Sequence, residues 1–182
     1  MHSLDVVEEL AVDHREAEAL FDQIRALPPA DARRKHRADD LTILLVRHIV
    51  AEEEYLHPAV REQVAGGAAL VEEAAAEDGR IQATLKELEH HQAHDPGFDD
   101  LVDRLAAEVS AHAESQEHRI FPALRSSCTT DELQTLGRKV RHAKTLAPTR
   151  PHPAEASNKL LTPAVGLVDR LRDLLSGRGH AV

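Results

Sequence analysis

Apolar residues return along most of this chain at alternating intervals of three and four, the spacing that keeps side chains on one face of an α-helix. Val7, Leu10, Ala17, Phe21 and Ile24 predict a first helix from Leu4 to about Leu27, ended by Pro28-Pro29. A second runs from about Ala30 or Asp39 to Val64, with Leu41, Leu44 and Leu45 leading its inner stripe, and Gly66-Gly67 stops it. The third, about Ala68 to Ala93, carries Leu70, Ala74, Ile81, Leu85 and Leu88 on one face, before the turn signal Asp95-Pro96-Gly97. Leu101, Leu105, Val109, Ile120 and Leu124 mark a fourth helix from about Phe98 to Arg125. Connections this short force neighbours to be antiparallel, so the pattern predicts an all-α, up-down-up-down four-helix bundle over residues 1–126.

The pattern changes after Arg125, and residues 127–182 read as a C-terminal helical extension. Thr129 followed by Glu132 spells a capping box, which should open a short helix through about Lys144 with Leu133, Leu136 and Val140 inside. Residues 147–158, with Pro148, Pro151 and Pro153, look extended. Thr162-Pro163 then fits the start of a last amphipathic helix bearing Val165, Val168, Leu171 and Leu175.

Three stripes are broken by polar residues. His14 interrupts the first, His112 the fourth, and on the second His48, Glu52 and Tyr55 stand at i, i+4 and i+7, placing imidazole, carboxylate and phenol on one face. Packing alone would ask for leucine there, and burying polar groups without partners costs a few kcal/mol each, so something must satisfy them. A metal ion is the candidate. Equal lengths counted from the Gly66 turn bring Glu52 level with Asp78 on the third helix. The same exercise about the Pro96 turn brings His112 to that height, so that His14, His48, Glu52, Asp78 and His112 can converge. Glu77, beside Asp78, is an alternative on the third helix, and Tyr55 serves either as a ligand or as a hydrogen-bond donor near Glu52. His90, His91 and His94 lie too near the Pro96 turn to take part, while Glu53, Glu54, His57 and His118 are expected to point away from the stripe. That expectation also disposes of Glu54-Tyr-Leu-His57 and Glu87-Leu-Glu-His90 as Glu-x-x-His metal motifs.

Composition narrows the partners. The net charge of −10 disfavours phosphate backbones and anionic membranes and suits cations. With three Phe, one Tyr and no Trp, the core must be aliphatic, which makes Tyr55 conspicuous. The single Cys128 excludes an internal disulfide and reads as an inert loop thiol. Acidic residues near the start, and the lack of any long apolar run, lead us to expect a cytoplasmic protein without a membrane span.

Two segments echo one another, His48-Ile-Val-Ala-Glu52-Glu53 with Pro58 and His112-Ala-Glu-Ser-Gln116-Glu117 with Pro122. Together with the lone His14, they resemble the hemerythrin-like, or HHE cation-binding, family of non-haem di-iron bundles, over roughly residues 4 to 125. Ala147-Pro-Thr-Arg-Pro-His-Pro and the tail to Gly179 resemble the extension of actinobacterial hemerythrin-like proteins. The resemblance implies two oxo- or hydroxo-bridged iron ions, with His14, His48 and His112 as terminal ligands and Glu52 as a bridging carboxylate. Gln116 is a poor bridge, so Glu117 takes the second bridging role in this reading. Asp78 stands where the family usually supplies histidine, and a Tyr55 phenolate on iron would stabilise the ferric state. Both departures favour redox chemistry on peroxide, catalase-like, or on nitric oxide. The alternative is an O2-binding module, or an oxygen or iron sensor, without turnover. A monomer or homodimer acting on a small molecule completes the expectation.

Overall fold

The structure, a computed structural model, describes residues 4–151. Helix α1 (Val6–Ala26) opens with a full capping box, Asp5 accepting from the Glu8 amide while Glu8 reaches back to the Asp5 amide. Helix α2 (Ala32–Ala51) starts from an Asp31 cap rather than at Asp39, so the weakly apolar run Arg33 to Arg37 is helical after all. It leads through a π-helical turn, Glu52–Leu56, into α3 (His57–Gln63). Helix α4 (Gly67–Glu89) follows the Gly66 turn and ends four residues short of the expected Ala93. The fourth bundle member repeats the interruption, with α5 (Phe98–Ser115), a π-helical turn at Gln116–Ile120, and α6 (Phe121–Ser127). Helix α7 (Thr130–Leu146) begins at the Thr129–Glu132 capping box and lies along α1 and α2. The proposed helix from Thr162 and most of the extended segment 147–158 fall outside the described residues.

The two π turns have a cause in the sequence. Proline has no N–H to give and its ring crowds the carbonyl four residues back, and Pro58 and Pro122 each sit inside a continuing helix. Each helix widens just before the proline, with the His57 and Phe121 amides bonding back to the carbonyls of Glu52 and Gln116. A π turn admits one extra residue, so every side chain beyond it is rotated relative to an unbroken α-helix. The stripe therefore runs His48, Glu52, Leu56, His57, and Tyr55 leaves it.

The apolar core falls into two clusters. One gathers Phe21, Ile24, Leu41, Leu45, Leu85, Leu88 and Leu105; the other gathers Val7, Leu10, Leu56, Val60, Val71, Ile120 and Leu124. Every bundle helix passes from one cluster to the other at a buried polar residue: His14 on α1, His48 and Glu52 on the second, Asp78 on α4, His112 on α5. A polar layer thus divides the core at a single height. Among the described residues no helix is long and apolar enough to cross a membrane.

Candidate metal centre

Three imidazoles define the layer. The ring centres of His14 and His48 are 5.0 Å apart, those of His48 and His112 5.6 Å, and those of His14 and His112 5.9 Å. His14, His48 and His112 can each place one nitrogen within 4.8 Å of the others, and Glu52, Asp78 and His112 form a second such group. His112 belongs to both. Its Nε2 faces His48 Nε2 at 3.4 Å and Glu52 Oε2 at 3.6 Å, while its Nδ1 faces Asp78 Oδ1 at 3.4 Å and Glu77 Oε2 at 3.7 Å.

Several of these atoms have no hydrogen-bond partner although buried: His14 Nε2, Glu52 Oε2, His57 Nε2, His112 Nδ1 and both carboxylate oxygens of Asp78. Each such group costs about 1–3 kcal/mol, so the set together rivals the ~5–15 kcal/mol by which a domain is stable. No packing argument explains so many in one layer. Cations bound among them do, and imidazole with carboxylate is a donor set suited to first-row transition metals.

The Hemerythrin HHE cation binding domain matches residues 5–124, the part of the chain that builds this layer. The chain belongs to that family. A solved structure of a hemerythrin HHE cation-binding domain-containing protein from Mycobacterium kansasii is similar at 25% identity, with a TM-score of 0.68, covering 78% of this chain and 86% of that one. Among curated proteins none matches.

Within this hemerythrin-like domain the charges are arranged for a cation. Burial opposes a charge on His48, yet Glu52 and Asp13 outweigh it and lift its pKa to about 10. Its Nδ1 lies 3.0 Å from Asp13 Oδ2 and its Nε2 2.9 Å from Glu52 Oε1, so the proton on Nε2 does there what a cation would do. Burial and the neighbouring His48 bring His14 down to about 4. Burial, then the charge of Glu52, raises Asp78 well above the usual carboxylate range.

Of the residues expected from sequence, His14, His48, Glu52, Asp78 and His112 are brought together. Glu77 stands behind Asp78, within reach of His112 alone among them. Tyr55 is elsewhere. The π turn carries its half-buried ring toward α7, where Lys139 Nζ stands 5.9 Å from the ring centre and His142, Leu146 and Pro148 line the same cleft. Glu117 is turned outward, 42% of its side chain exposed, and its Oε1 meets His14 Nδ1 at 2.8 Å, so it holds the imidazole from behind. Its place in the layer goes to Gln116, fully buried, whose amide donates to Glu52 Oε1 at 2.6 Å.

His57 corrects the expectation that it points away. It is 3% exposed, with Nε2 3.7 Å from Asp78 Oδ2, because the π turn brings it round into the position an unbroken helix would deny it. Asp13, 3% exposed behind His48, is the other functional residue that the stripe reading missed. The echo of His48…Pro58 in His112…Pro122 was the available signal, since a proline inside a helix announces a break in register. Cys128 is half-buried, and burial, then Glu132, raises its pKa, as suits an inert thiol.

Proposed function

We propose that the layer holds two iron ions and that the protein breaks down peroxide, with nitric oxide as a related substrate. His14, His48 and His112 would serve as terminal ligands, Asp78 as the third-helix ligand, and Glu52, whose two oxygens face His48 and His112, as the bridging carboxylate. His57 is in reach of the Asp78 side. The observation that carries this reading is the concentration of unpartnered buried nitrogen and carboxylate donors in one layer. An acid in place of a third-helix imidazole supplies negative charge that favours the ferric over the ferrous state, and so favours redox turnover over reversible O2 carriage. Iron, when bound, would supply the Lewis acidity and the electron transfer for a disproportionation in which one peroxide is reduced to water and a second is oxidised to O2.

The chain's own groups supply the rest. Leu10, Leu56, Ile120 and Phe121 wall off one side of the layer and exclude bulk water. The Phe121 ring stacks on His14 at 5.9 Å, almost parallel to it, and Glu117 fixes the opposite edge of that imidazole, leaving Nε2 inward. Gln116 holds one oxygen of Glu52 and leaves the other free.

Iron analysis of the purified protein, followed by steady-state peroxide consumption, tests the proposal. About two irons per chain with sustained turnover, both abolished by Glu52→Ala, is the expected result. Protein that takes up no iron refutes the metal assignment. Iron-loaded protein that binds O2 reversibly and leaves peroxide intact refutes the enzymatic half and selects the carrier or sensor. A visible band in the ferric protein that disappears in Tyr55→Phe would restore Tyr55 as a ligand.

A further inference from the structure

We propose that α7 completes the metal centre through Lys144, a positioning residue that holds Asp13 and thereby fixes which nitrogen of His48 is offered to a cation. Lys144 Nζ lies 2.6 and 2.8 Å from the two oxygens of Asp13, and Asp13 Oδ2 lies 3.0 Å from His48 Nδ1. Asp13 is 3% exposed, and a carboxylate so buried needs a compensating charge. Lys144 supplies it from a helix beyond the family match, which ends at residue 124.

The placement is built rather than incidental. From the Asp5 cap into α1, Asp5, Glu9 and Asp13 follow one another at intervals of about one turn, and each meets a cation from the C-terminal part of the chain: Arg125, Arg141 and Lys144. Gly137 sets how closely α7 approaches, because a Cβ there would lie 2.6 Å from the Leu4 carbonyl oxygen. The α7 backbone therefore lies directly against the backbone at the start of α1, in a register that leaves Lys144 opposite Asp13.

The consequence follows from hydrogen-bond direction. Asp13, held by Lys144, accepts the Nδ1 proton of His48 and leaves Nε2 as the nitrogen facing Glu52 and His112. The ammonium also offsets the carboxylate, so Asp13 orients the imidazole without drawing its proton away, and His48 binds as a neutral ligand.

This inference rests on the proposed metal centre, and cobalt(II) alone separates the two. Its affinity, by chelator competition, and its visible spectrum would be compared in the full chain and in Lys144→Met, Lys144→Arg and Arg138→Met. Lys144→Met should weaken binding by about 10-fold and shift the cobalt bands, the low end of the effect of losing the outer partner of a ligating histidine, because Asp13 remains but is no longer held. Lys144→Arg should recover most of both. Arg138→Met, whose guanidinium meets Thr135 on its own helix, should change neither. Wild-type affinity and spectrum in Lys144→Met would overturn the role of Lys144 while leaving the metal centre standing, and equal loss in Arg138→Met would reduce it to general support by α7. A wild-type chain that takes up no cobalt removes both. Should Lys144→Met fail to fold, Asp13→Asn takes its place, and normal cobalt binding by that variant overturns the proposal.

Discussion

Asp78 shows at the scale of one residue how a site is held against the fold's own interest. It is 1% exposed, neither of its oxygens has a hydrogen-bond partner, and burial beside Glu52 pushes its pKa far up. Without metal the group is a burden, since near neutral pH the chain must either keep a proton on it or bury a bare charge. Asp78→Asn keeps the shape and removes that burden. Metal-free Asp78→Asn should therefore melt higher than wild type, by about 2–4 °C if the relief is about 1 kcal/mol. The same variant should bind metal more weakly, so that saturating cobalt raises its melting temperature less than that of wild type. Thermal melts with and without cobalt check both halves, and a metal-free variant that melts lower contradicts this account of Asp78.

At the scale of elements, the helices were legible because a period near 3.6 survives any tertiary context, and the Thr129–Glu132 box was legible because capping chemistry is local. The convergence of His14, His48, Glu52, Asp78 and His112 could be read too, since equal rise along antiparallel helices fixes height. Rotation about a helix axis could not. One extra residue at each π turn sends Tyr55 toward α7 and brings His57 into the layer, and regular counting has no term for that. Asp13 escaped because its role depends on a partner helix that arrives far later in sequence. The turn between the second and third bundle members is more tightly specified. A Cβ on Gly67 would stand 2.0 Å from the Val60 carbonyl oxygen, with backbone on both sides of the contact. Gly67→Ala should cost about 1–3 kcal/mol in denaturant unfolding, as overpacking does, while iron content per folded chain stays unchanged. A neutral effect would mean that α3 and α4 can part freely at this end.

At the scale of the whole molecule, the polar layer makes the stability of the metal-free protein depend on pH in a defined direction. His48 has its pKa raised from 6.5 to about 10, so the stabilisation it gains beside Glu52 and Asp13 is fully present below about 6.5 and is lost as pH rises through about 10. His14 works oppositely. Its pKa falls from 6.5 to about 4, so the unfolded chain binds the extra proton, and stability declines as pH falls from about 6.5 toward 4. Burial lowers His57 in the same direction. Metal-free protein should accordingly lose stability as pH rises above about 6.5, whereas below it the loss from His14 and His57 is opposed by Asp78 and Glu53, whose raised pKa values favour the folded chain as pH falls. The chain's net charge of −10 adds self-repulsion on the alkaline side, which a melt of the metal-free protein alone cannot separate from His48. Loading with metal separates them, because a ligating His48 has already surrendered its Nε2 proton and has none to lose. The loaded protein should keep the gentle slope of general repulsion between pH 7 and 10 while the metal-free protein falls more steeply. Metal uptake near pH 7 should also release a proton, seen as a binding heat that changes with the ionisation enthalpy of the buffer. Parallel alkaline slopes in the two forms, with no buffer dependence, would mean that His48 carries no proton for a cation to displace.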